Sequence, residues 1–421
     1  MSNPPTPPRT SARRLGERFA FVALGLYHLP LFLNNYPSLG GGGFDEGLAV
    51  SWGHIFTRPG IWLARLLFSM SGPMTRAAAG DNGDVGEEVA RLILAVAIGA
   101  LAAIAWTWAD RQRPRADWVE GALRVMLRYS IVLGLMSYAI AKILPQQFPP
   151  LTPFSYETRV GELTPMRLLW TFMQYSRPYS FFGGVMECLA IVLLCFRRTA
   201  TLGALVTMAV MTNVALMNLA YDVPVKLYAC MLVVSAGVLV LYDAKRLLAV
   251  FVMNRDAPAA AQPTLFEGRL PDSLRWTMKL LLVGSVAVSS VVAFQSLGIA
   301  RAAATSDLSG AWGITSFAWD GGAANPAWRR LIIDAGSLAV RLENDMMMRC
   351  RRTPTQDPAT LAFTCGGSRA GTLHWSVAGT QLQLGGTFAG TSMTAAARRL
   401  DDKDYPLLRG GFHVISDRDS R

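Results

Sequence analysis

Long apolar segments separated by polar loops occupy the first 300 residues of the chain. A helix that crosses the apolar core of a bilayer needs about 20 residues, and the pattern predicts seven such helices. They cover residues 19–33, 89–109, 123–144, 179–196, 202–220, 223–242 and 274–299. Residues 166–177 form a shorter amphipathic segment, for which we expect a helix on the outer side of the membrane.

The pattern changes after residue 305. Short segments in which apolar and polar residues alternate are separated by Gly, Asn, Asp and Pro, which is typical of strands and turns. These segments are 312–319, 330–334, 338–342, 346–351, 360–364, 373–377, 381–384 and 391–398. About eight short strands at this spacing predict a small antiparallel barrel or sandwich. The expected fold class is an all-α polytopic membrane bundle followed by a C-terminal antiparallel β domain.

Basic residues set the predicted orientation of the helices. With seven spans, the Lys- and Arg-rich loops at 111–115, 197–198 and 245–279 lie on the same side as the basic N-terminus. Because cytoplasmic loops carry an excess of Lys and Arg, we place this side in the cytoplasm. The predicted organisation is a disordered cytoplasmic tail (1–18), transmembrane helices with a periplasmic loop (19–117), a four-helix membrane core (118–253), a cytoplasmic linker (254–273), a last transmembrane helix (274–300) and a periplasmic β domain (305–421).

The composition favours a polytopic membrane protein. Of the 421 residues, 52% are hydrophobic and only 16% are charged, which excludes an ordinary soluble domain. The net charge of +11 would suit a nucleic-acid-binding protein, but the basic residues cluster beside the apolar segments. We therefore expect the lipid bilayer as a partner and no nucleic acid.

Cysteine and histidine usage narrows the chemistry. The chain has no Cys-x-x-Cys motif for thiol exchange. Three cysteines lie in apolar segments, where we expect them to pack as small hydrophobes: Cys188, Cys195 and Cys230. Cys350 and Cys365 either form a disulfide, which an outside compartment permits, or are kept apart by the strand register. His28 alone among the histidines lies in an apolar segment, so the pattern predicts no haem and no metal site.

Polar residues within or beside the apolar segments mark a candidate ligand-binding site. A charged group at the bilayer centre costs about 2.5–3.5 kcal/mol on insertion scales, so such groups usually face the bundle interior and find partners. The candidate residues are Tyr138, Lys142, Gln146, Gln147, Trp170, Glu187, Asn213, Asn218, Asp222 and Lys226. They predict a polar pocket among spans three to six that is open to the outer side.

Helix geometry places two of these residues at a similar depth. A helix rises about 1.5 Å per residue, so Glu187 and Asn213 lie roughly 12 Å below the outer surface. Two structural explanations stay open. One concerns Glu187 and Asn213, which would hydrogen-bond each other and hold the helices together. The other concerns Asp222 and Lys226, which are four residues apart and would form a local salt bridge.

Within the predicted pocket, each cation has an anionic counterpart. Lys142 and Lys226 lie near the rim, and Glu187 and Asp222 are their expected partners. Three aromatic residues are expected to form a lid over the pocket: Trp170, Tyr175 and Tyr179.

The segments around these residues resemble a known family. Ala139-Ile140-Ala141-Lys142 matches a Gly/Ala-x-x-Lys helix ending, and the runs 169–176, 182–187 and 218–226 are similar to the same group. The block 126–246 thus resembles a DoxX-like four-helix membrane module. The resemblance implies an inner-membrane protein, and some relatives are subunits of thiosulfate:quinone oxidoreductase or of other membrane redox complexes. This chain departs from the minimal pattern by its additional helices and its β domain.

The β domain carries a second resemblance. Gly310-Ala311-Trp312 precedes the first predicted strand, as the Gly-x-Trp signature does in lipocalins, and residues 409–413 are expected to pack back on Trp312. A lipocalin-like barrel is therefore expected. Its interior either holds a small apolar ligand or is filled by side chains, so that the domain serves as a docking surface.

The sequence leaves three functions open. In the first, the chain is a quinone-linked component of a redox complex, and Lys142, Glu187 and Lys226 bind or protonate the quinone. In the second, it binds and hands on a lipid or small amphiphile without catalysis. In the third, it is an assembly scaffold whose β domain recruits a periplasmic protein. No haem, iron–sulfur or flavin motif is present, so the sequence does not decide whether the chain is an enzyme.

Overall fold

The structure is a computed structural model that describes residues 11–34, 58–63, 65–66, 86–110, 118–258, 271–304, 307–320, 326–334, 337–357, 359–401, 403 and 405–408. These residues fall into two units. The helical unit combines the described residues up to Ile143 with Phe182–Val292, and the barrel unit combines Leu144–Phe181 with the described residues from Ala293 onward.

Most described residues up to Ala304 are helical. The principal helices, in chain order, are α1 (Ser11–Asn34), α2 (Gly86–Ala109), α3 (Trp118–Ile143), α4 (Pro153–Glu157), α5 (Pro165–Tyr175), α6 (Arg177–Cys195), α7 (Ala200–Ala220), α8 (Lys226–Leu241), α9 (Ala244–Phe251) and α10 (Asp272–Ala304). Each predicted apolar segment falls largely on one of the long helices. The expected amphipathic helix at 166–177 is confirmed as α5.

Five of the described helices are long and apolar enough to cross a bilayer: α2, α3, α6, α7 and α10. Helices α8 and α9 pass the same test as a pair that is bent by 75°, which raises the number to six if the pair is one span. Helix α1 is not among them, because Arg13, Arg14, Glu17 and Arg18 make its first two turns polar. The predicted span at 223–242 begins only at Lys226, since the preceding residues form a turn.

Helix α3 is the central helix of the helical unit. Of its apolar stretch, 61% is buried, against 6% to 33% in the other four apolar helices. Leu123, Leu127, Ile131 and Leu135 recur every four residues and are buried, so they form one continuous stripe along the helix. Side chains from α1, α6, α7 and α8 pack around it.

Contacts between helix ends show how the helices run. Arg13 near the start of α1 pairs with Glu120 near the start of α3. Thr201 at the start of α7 donates to Asp243, which follows the end of α8, and Lys279 near the start of α10 donates to the Cys195 carbonyl at the end of α6. Helices α1 and α3 therefore start at the same end, and α7 and α10 start where α8 and α6 end. This up-and-down arrangement is the one that short loops between long helices impose.

Helix α1 begins at Ser11, inside the segment 1–18 for which the sequence predicts a disordered tail. That prediction is wrong for residues 11–18. Arg18 is buried, donates to the Thr107 hydroxyl at 2.9 Å and pairs with Asp110 at the end of α2. The charges that suggested disorder are thus held by partners on a neighbouring helix. Residues 1–10 lie outside the described residues.

Eight antiparallel strands form a closed barrel in chain order, with β8 pairing back to β1. They are β1 (Gly310–Trp319), β2 (Trp328–Ile333), β3 (Ser337–Leu342), β4 (Met347–Thr353), β5 (Thr360–Cys365), β6 (Arg369–Ala378), β7 (Gln381–Phe388) and β8 (Thr391–Arg399). Each predicted strand falls on one of them. The structure therefore confirms the barrel, and not the sandwich.

Aromatic side chains fill the barrel interior. Trp328, Phe363 and Phe388 are buried. The rings of Phe363 and Phe388 stack with their centroids 5.8 Å apart, and Trp328 meets Phe388 edge-on at 5.7 Å. An eight-stranded barrel is just wide enough for side chains to fill it, and this interior is a packed core.

Trp312, near the start of β1, is fully buried in the barrel core. Its indole nitrogen donates to the Leu308 carbonyl at 2.9 Å, and the Arg399 guanidinium covers its ring at 5.2 Å. Arg399 also donates to the Ser309 carbonyl. Residues 409–413, which the sequence predicts to pack on this ring, lie outside the described residues.

Cys350 and Cys365 form a disulfide. They face each other directly in the register of β4 and β5, so the strand register brings the two sulfurs together rather than separating them. Both side chains are buried in the barrel core.

Gly386 on β7 provides a test of the barrel register. A Cβ added there would lie 2.2 Å from the Thr372 carbonyl oxygen, whereas a Cβ at the neighbouring Gly385 meets open space. We expect Gly386→Ala to lower the free energy of barrel unfolding by roughly 1–3 kcal/mol, and Gly385→Ala to change it much less. The buried disulfide becomes accessible to reductant when the barrel unfolds. The measurement is therefore the midpoint urea concentration at which a short pulse of reductant cleaves this disulfide in the full chain. Equal midpoints for the two variants would contradict the register.

Candidate functional site in the helical unit

Lys142 and Glu187 form an ion pair inside the helical unit. The Lys142 ammonium donates to Glu187 Oε1 at 2.6 Å, and the two side chains are 8% and 2% exposed. Lys142 lies in the last turn of α3, and Glu187 lies in the middle of α6. Burial of two charges is tolerated here because each neutralises the other.

A glycine permits the close approach of these two helices. A Cβ at Gly184 would lie 3.0 Å from the Ala139 carbonyl and from the Lys142 Cβ. Glu187 follows Gly184 by three residues and therefore lies on the same face of α6. The absent side chain lets α6 approach α3 closely enough for the Lys142 ammonium to reach the Glu187 carboxylate.

Two tyrosines extend the polar cluster along α3. The Lys142 ammonium lies 5.9 Å from the centre of the Tyr138 ring, and the rings of Tyr138 and Tyr228 are 6.4 Å apart. A Cβ at Gly134 would lie 2.0 Å from the Tyr228 hydroxyl oxygen, so a larger residue there would displace the Tyr228 side chain. Gly134, Tyr138 and Lys142 follow one another at four-residue spacing, which puts them on one face of α3.

Three buried polar atoms near this face have no hydrogen-bond partner among the described residues: Glu187 Oε2, Tyr228 Oη and Ser130 Oγ. Buried polar atoms are hydrogen-bonded in the large majority of proteins, and an exception calls for an explanation such as a bound water or ligand. The cluster therefore offers one carboxylate acceptor and two hydroxyl groups in an apolar surrounding.

Asp222 and Lys226 form a separate and more exposed pair. Their charged atoms are 2.9 Å apart, but the Asp222 side chain is 82% exposed. The pair lies at the turn between α7 and α8, where Asp222 and Val225 have positive φ angles of 53° and 73°. This is the local salt bridge that the four-residue spacing allows.

Asn213 does not face the core. It lies on the exposed side of α7, while Glu187 is bonded to Lys142 on α3. The expectation of an Asn213–Glu187 hydrogen bond is therefore wrong, because depth along a helix does not determine the face on which a side chain lies. Asn218 is buried, and its carbonyl accepts from the Val223 amide at 3.0 Å.

The other three predicted site residues belong to the barrel unit. Trp170 packs edge-on against Phe148 with ring centres 5.3 Å apart. Gln147 is half-buried, and its side-chain oxygen has no partner among the described residues. The Gln146 amide approaches Gly298, where a Cβ would lie 3.0 Å away. Of the ten predicted residues, the structure thus joins Tyr138, Lys142 and Glu187 in one cluster.

Sequence reasoning missed two members of the helical core. Tyr228 lies in an apolar segment without a charge to mark it. His28 was noted only as the one histidine in such a segment, and its Nε2 lies 2.9 Å from the Ser235 hydroxyl. Both residues are buried or nearly so. A polar ring in the middle of an apolar helix was the signal that could have identified them.

The barrel unit contains a second charged cluster. Arg330 on β2 and Arg341 on β3 are directly opposite each other in the strand register. Like charges at opposite positions destabilise a sheet. The segment 153–162, which precedes the barrel by more than 140 residues, supplies the carboxylates that offset this repulsion.

Glu157 and Glu162 bind these two arginines. The Glu157 carboxylate accepts from Arg330 at 2.5 Å and from the Tyr405 hydroxyl. Arg341 donates to the Glu157 carbonyl at 2.9 Å and to both Glu162 oxygens at 2.9 and 3.2 Å. We call this set of contacts the clamp. The pKa of Arg330 is raised by its hydrogen bond to Glu157, which keeps the guanidinium charged.

A cleft of about 270 Å³ lies beside the clamp. Arg159 and Arg329 share Asp345 at its rim, at 2.8 and 2.9 Å. Its arginines are thus bound to the protein's own carboxylates, and the cleft belongs to the contact between the segment and the barrel. Sequence reasoning missed this cluster, although two arginines within otherwise apolar strands were a visible signal.

The Lys142–Glu187 pair can be tested by breaking it. Lys142→Met leaves a buried carboxylate without its cation, and we expect the free energy of unfolding to fall by about 3–5 kcal/mol. Lys142→Met with Glu187→Leu removes both charges and should recover most of the loss. Asp222→Asn breaks the exposed pair and should cost less than about 1 kcal/mol. Thermal unfolding of the full chain in lipid nanodiscs measures all three, and a double variant no better than the single would contradict the pairing.

The clamp predicts a dependence on pH. The hydrogen bond from Arg341 lowers the pKa of Glu162 below its ordinary 4.5. The clamp contribution of Glu162 is therefore complete above pH 4.5 and is lost as the pH falls through the lowered pKa. We expect pepsin to cleave residues 153–164 faster as the pH is lowered through this range. Glu162→Gln should be cleaved at pH 5 as fast as the wild type is at lower pH, and an unchanged profile would exclude this role.

Comparison with known proteins finds a similar sequence and no matching solved structure. The chain is 32% identical over 133 residues to the protein named "Uncharacterized protein YwoB" of Bacillus subtilis (strain 168). The match covers 32% of this chain and 84% of YwoB. No family model and no solved structure matches the chain. Because the match includes most of YwoB, the chain belongs to the same family as YwoB.

Proposed function

We propose that this chain is an integral inner-membrane protein with a DoxX-like core that binds a quinone or quinol beside Glu187. The proposed topology has seven spans, a cytoplasmic N-terminus and a periplasmic barrel. Five or six long apolar helices support insertion. The disulfide between Cys350 and Cys365 supports an oxidising compartment for the barrel.

The observation that carries the ligand proposal is the unpartnered Glu187 Oε2. It is buried next to an oxygen that already accepts from Lys142. A buried acceptor in an apolar surrounding favours a ligand that is itself apolar and carries a hydroxyl group. A quinol meets both conditions, because its ring and tail suit the apolar helices and its hydroxyl can donate to Oε2.

The donors nearby fit the oxidised form as well. The Tyr228 hydroxyl is buried without a partner and can donate to a quinone carbonyl. When bound, a quinone supplies chemistry that takes up two electrons and two protons. Glu187 and Lys142 would hold a proton at the ligand oxygen, and the aromatic face of Tyr138 would shield that proton from water.

A second candidate is the assembly role, and the filled barrel favours it. Because Trp328, Phe363 and Phe388 occupy the interior, the outer surface of the barrel remains for a partner. In that case the Lys142–Glu187 pair holds α3 and α6 together, and the barrel recruits a periplasmic protein. An amphiphile-handling role needs the core site, as the quinone proposal does, and would use a different ligand.

A titration separates these candidates. At about 100 times its dissociation constant, a ligand adds about 2.7 kcal/mol to the stability of the protein that binds it. We expect a short-chain quinol analogue to raise the melting temperature of the chain in nanodiscs by several degrees. Glu187→Gln should reduce this shift, while Asp222→Asn should keep it. A wild type that does not respond at saturating analogue contradicts the quinone proposal and leaves the assembly role.

A further inference from the structure

Helix α5 has apolar side chains on two sides. Leu169 and Met173 are buried in the barrel unit. A second set follows at spacings of four, three and four residues along α5 and into the first turn of α6: Leu168, Phe172, Tyr175 and Tyr179. We call this set the apolar stripe. Its members are 39% to 55% exposed, and the rings of Phe172 and Tyr179 touch edge-on at 5.6 Å.

The stripe is held in a defined position. Thr164 caps the start of α5 by accepting from the Arg167 amide at 3.3 Å. At the other end, the Ser180 hydroxyl donates to the Met173 carbonyl across the corner between α5 and α6. The four side chains therefore do not depend on a partner to stay on one side. Exposed aromatic rings in a fixed row mark an interaction surface.

The position of the stripe in the chain identifies what covers it. Helix α5 ends at Tyr175, and α6, which is long and apolar enough to cross a bilayer, begins two residues later at Arg177. An α5 of 11 residues is only about 16 Å long, so it is too short to span. A short helix joined directly to the entry point of a span, with aromatic residues on one side, fits the headgroup region of the bilayer.

The charges beside the stripe agree with this location. Arg167 is exposed on α5, and Arg177 is exposed at the start of α6. Arginine side chains can lay their stems along apolar surface and reach the phosphate level with their guanidinium groups. Arg167, Thr171 and Gln174 form the polar row next to the stripe, so α5 separates an aqueous side from an apolar side.

We propose that α5 lies flat in the membrane interface, with the apolar stripe turned toward the acyl chains of lipids. This rests on the proposed membrane insertion of α6. It replaces the expectation that Tyr175 and Tyr179 form a lid over a core pocket.

The test is a set of nitroxide labels on the full chain in lipid nanodiscs. Cys188, Cys195 and Cys230 are replaced by Ala, and single cysteines are introduced as Phe172→Cys, Arg167→Cys and Val192→Cys. Val192 is 54% exposed in the second half of α6 and reports on the span itself. Collision rates with oxygen, which enriches in lipid, and with a water-soluble nickel chelate give the depth of each label.

We expect the ratio of oxygen to nickel collision rates to be at least fivefold higher for the Phe172 label than for the Arg167 label. The Phe172 label should also lie at a shallower depth in the bilayer than the Val192 label. If the Phe172 and Arg167 labels are equally accessible to nickel while the Val192 label lies in lipid, the proposed interface location of α5 is wrong and the proposed membrane insertion of α6 stands. A nickel-accessible Val192 label overturns the membrane insertion as well. Leu168→Cys repeats the measurement within the stripe if the Phe172 variant does not fold.

Discussion

Burial of the Lys142–Glu187 ion pair is the constraint on which the helical unit depends. A single charge in an apolar interior costs several kcal/mol, so neither residue is tolerated there without the other. The pair fixes both the rotation of α3 and the distance between α3 and α6, and Gly184 is small enough to permit that distance. Once α3 is fixed in this rotation, Gly134 and Tyr138 necessarily face Tyr228 on α8.

The barrel unit applies the same rule to a sheet. Two arginines opposite each other on neighbouring strands would repel, and Glu157 and Glu162 offset the repulsion from a distant part of the chain. Strands β2 and β3 therefore depend on the segment that precedes α5, because its carboxylates neutralise the two arginines. This couples the loop between two long helices to the fold of the C-terminal domain.

These two constraints also limit where the protein can bind something. The barrel interior is filled, and the cleft beside the clamp is lined by charges that already bind each other. Among the described residues, the buried atoms without a hydrogen-bond partner include Glu187 Oε2 and the Tyr228 hydroxyl in the helical unit, and the apolar stripe on α5 is exposed in the barrel unit. The first two require a partner that can hydrogen-bond in an apolar surrounding, and the stripe requires an apolar one.

The sequence by itself determined the element pattern, because hydrophobic periodicity is a local property. It located the long helices, the amphipathic α5 and the eight strands, and it singled out Lys142 and Glu187 because a charge in an apolar segment is conspicuous. Only the tertiary structure decided which face each side chain occupies. Asn213 is exposed although its depth matches that of Glu187, since the rotation of a helix is set by its neighbours. The clamp joins residues 173 to 248 positions apart, and no local pattern encodes a contact between such distant positions.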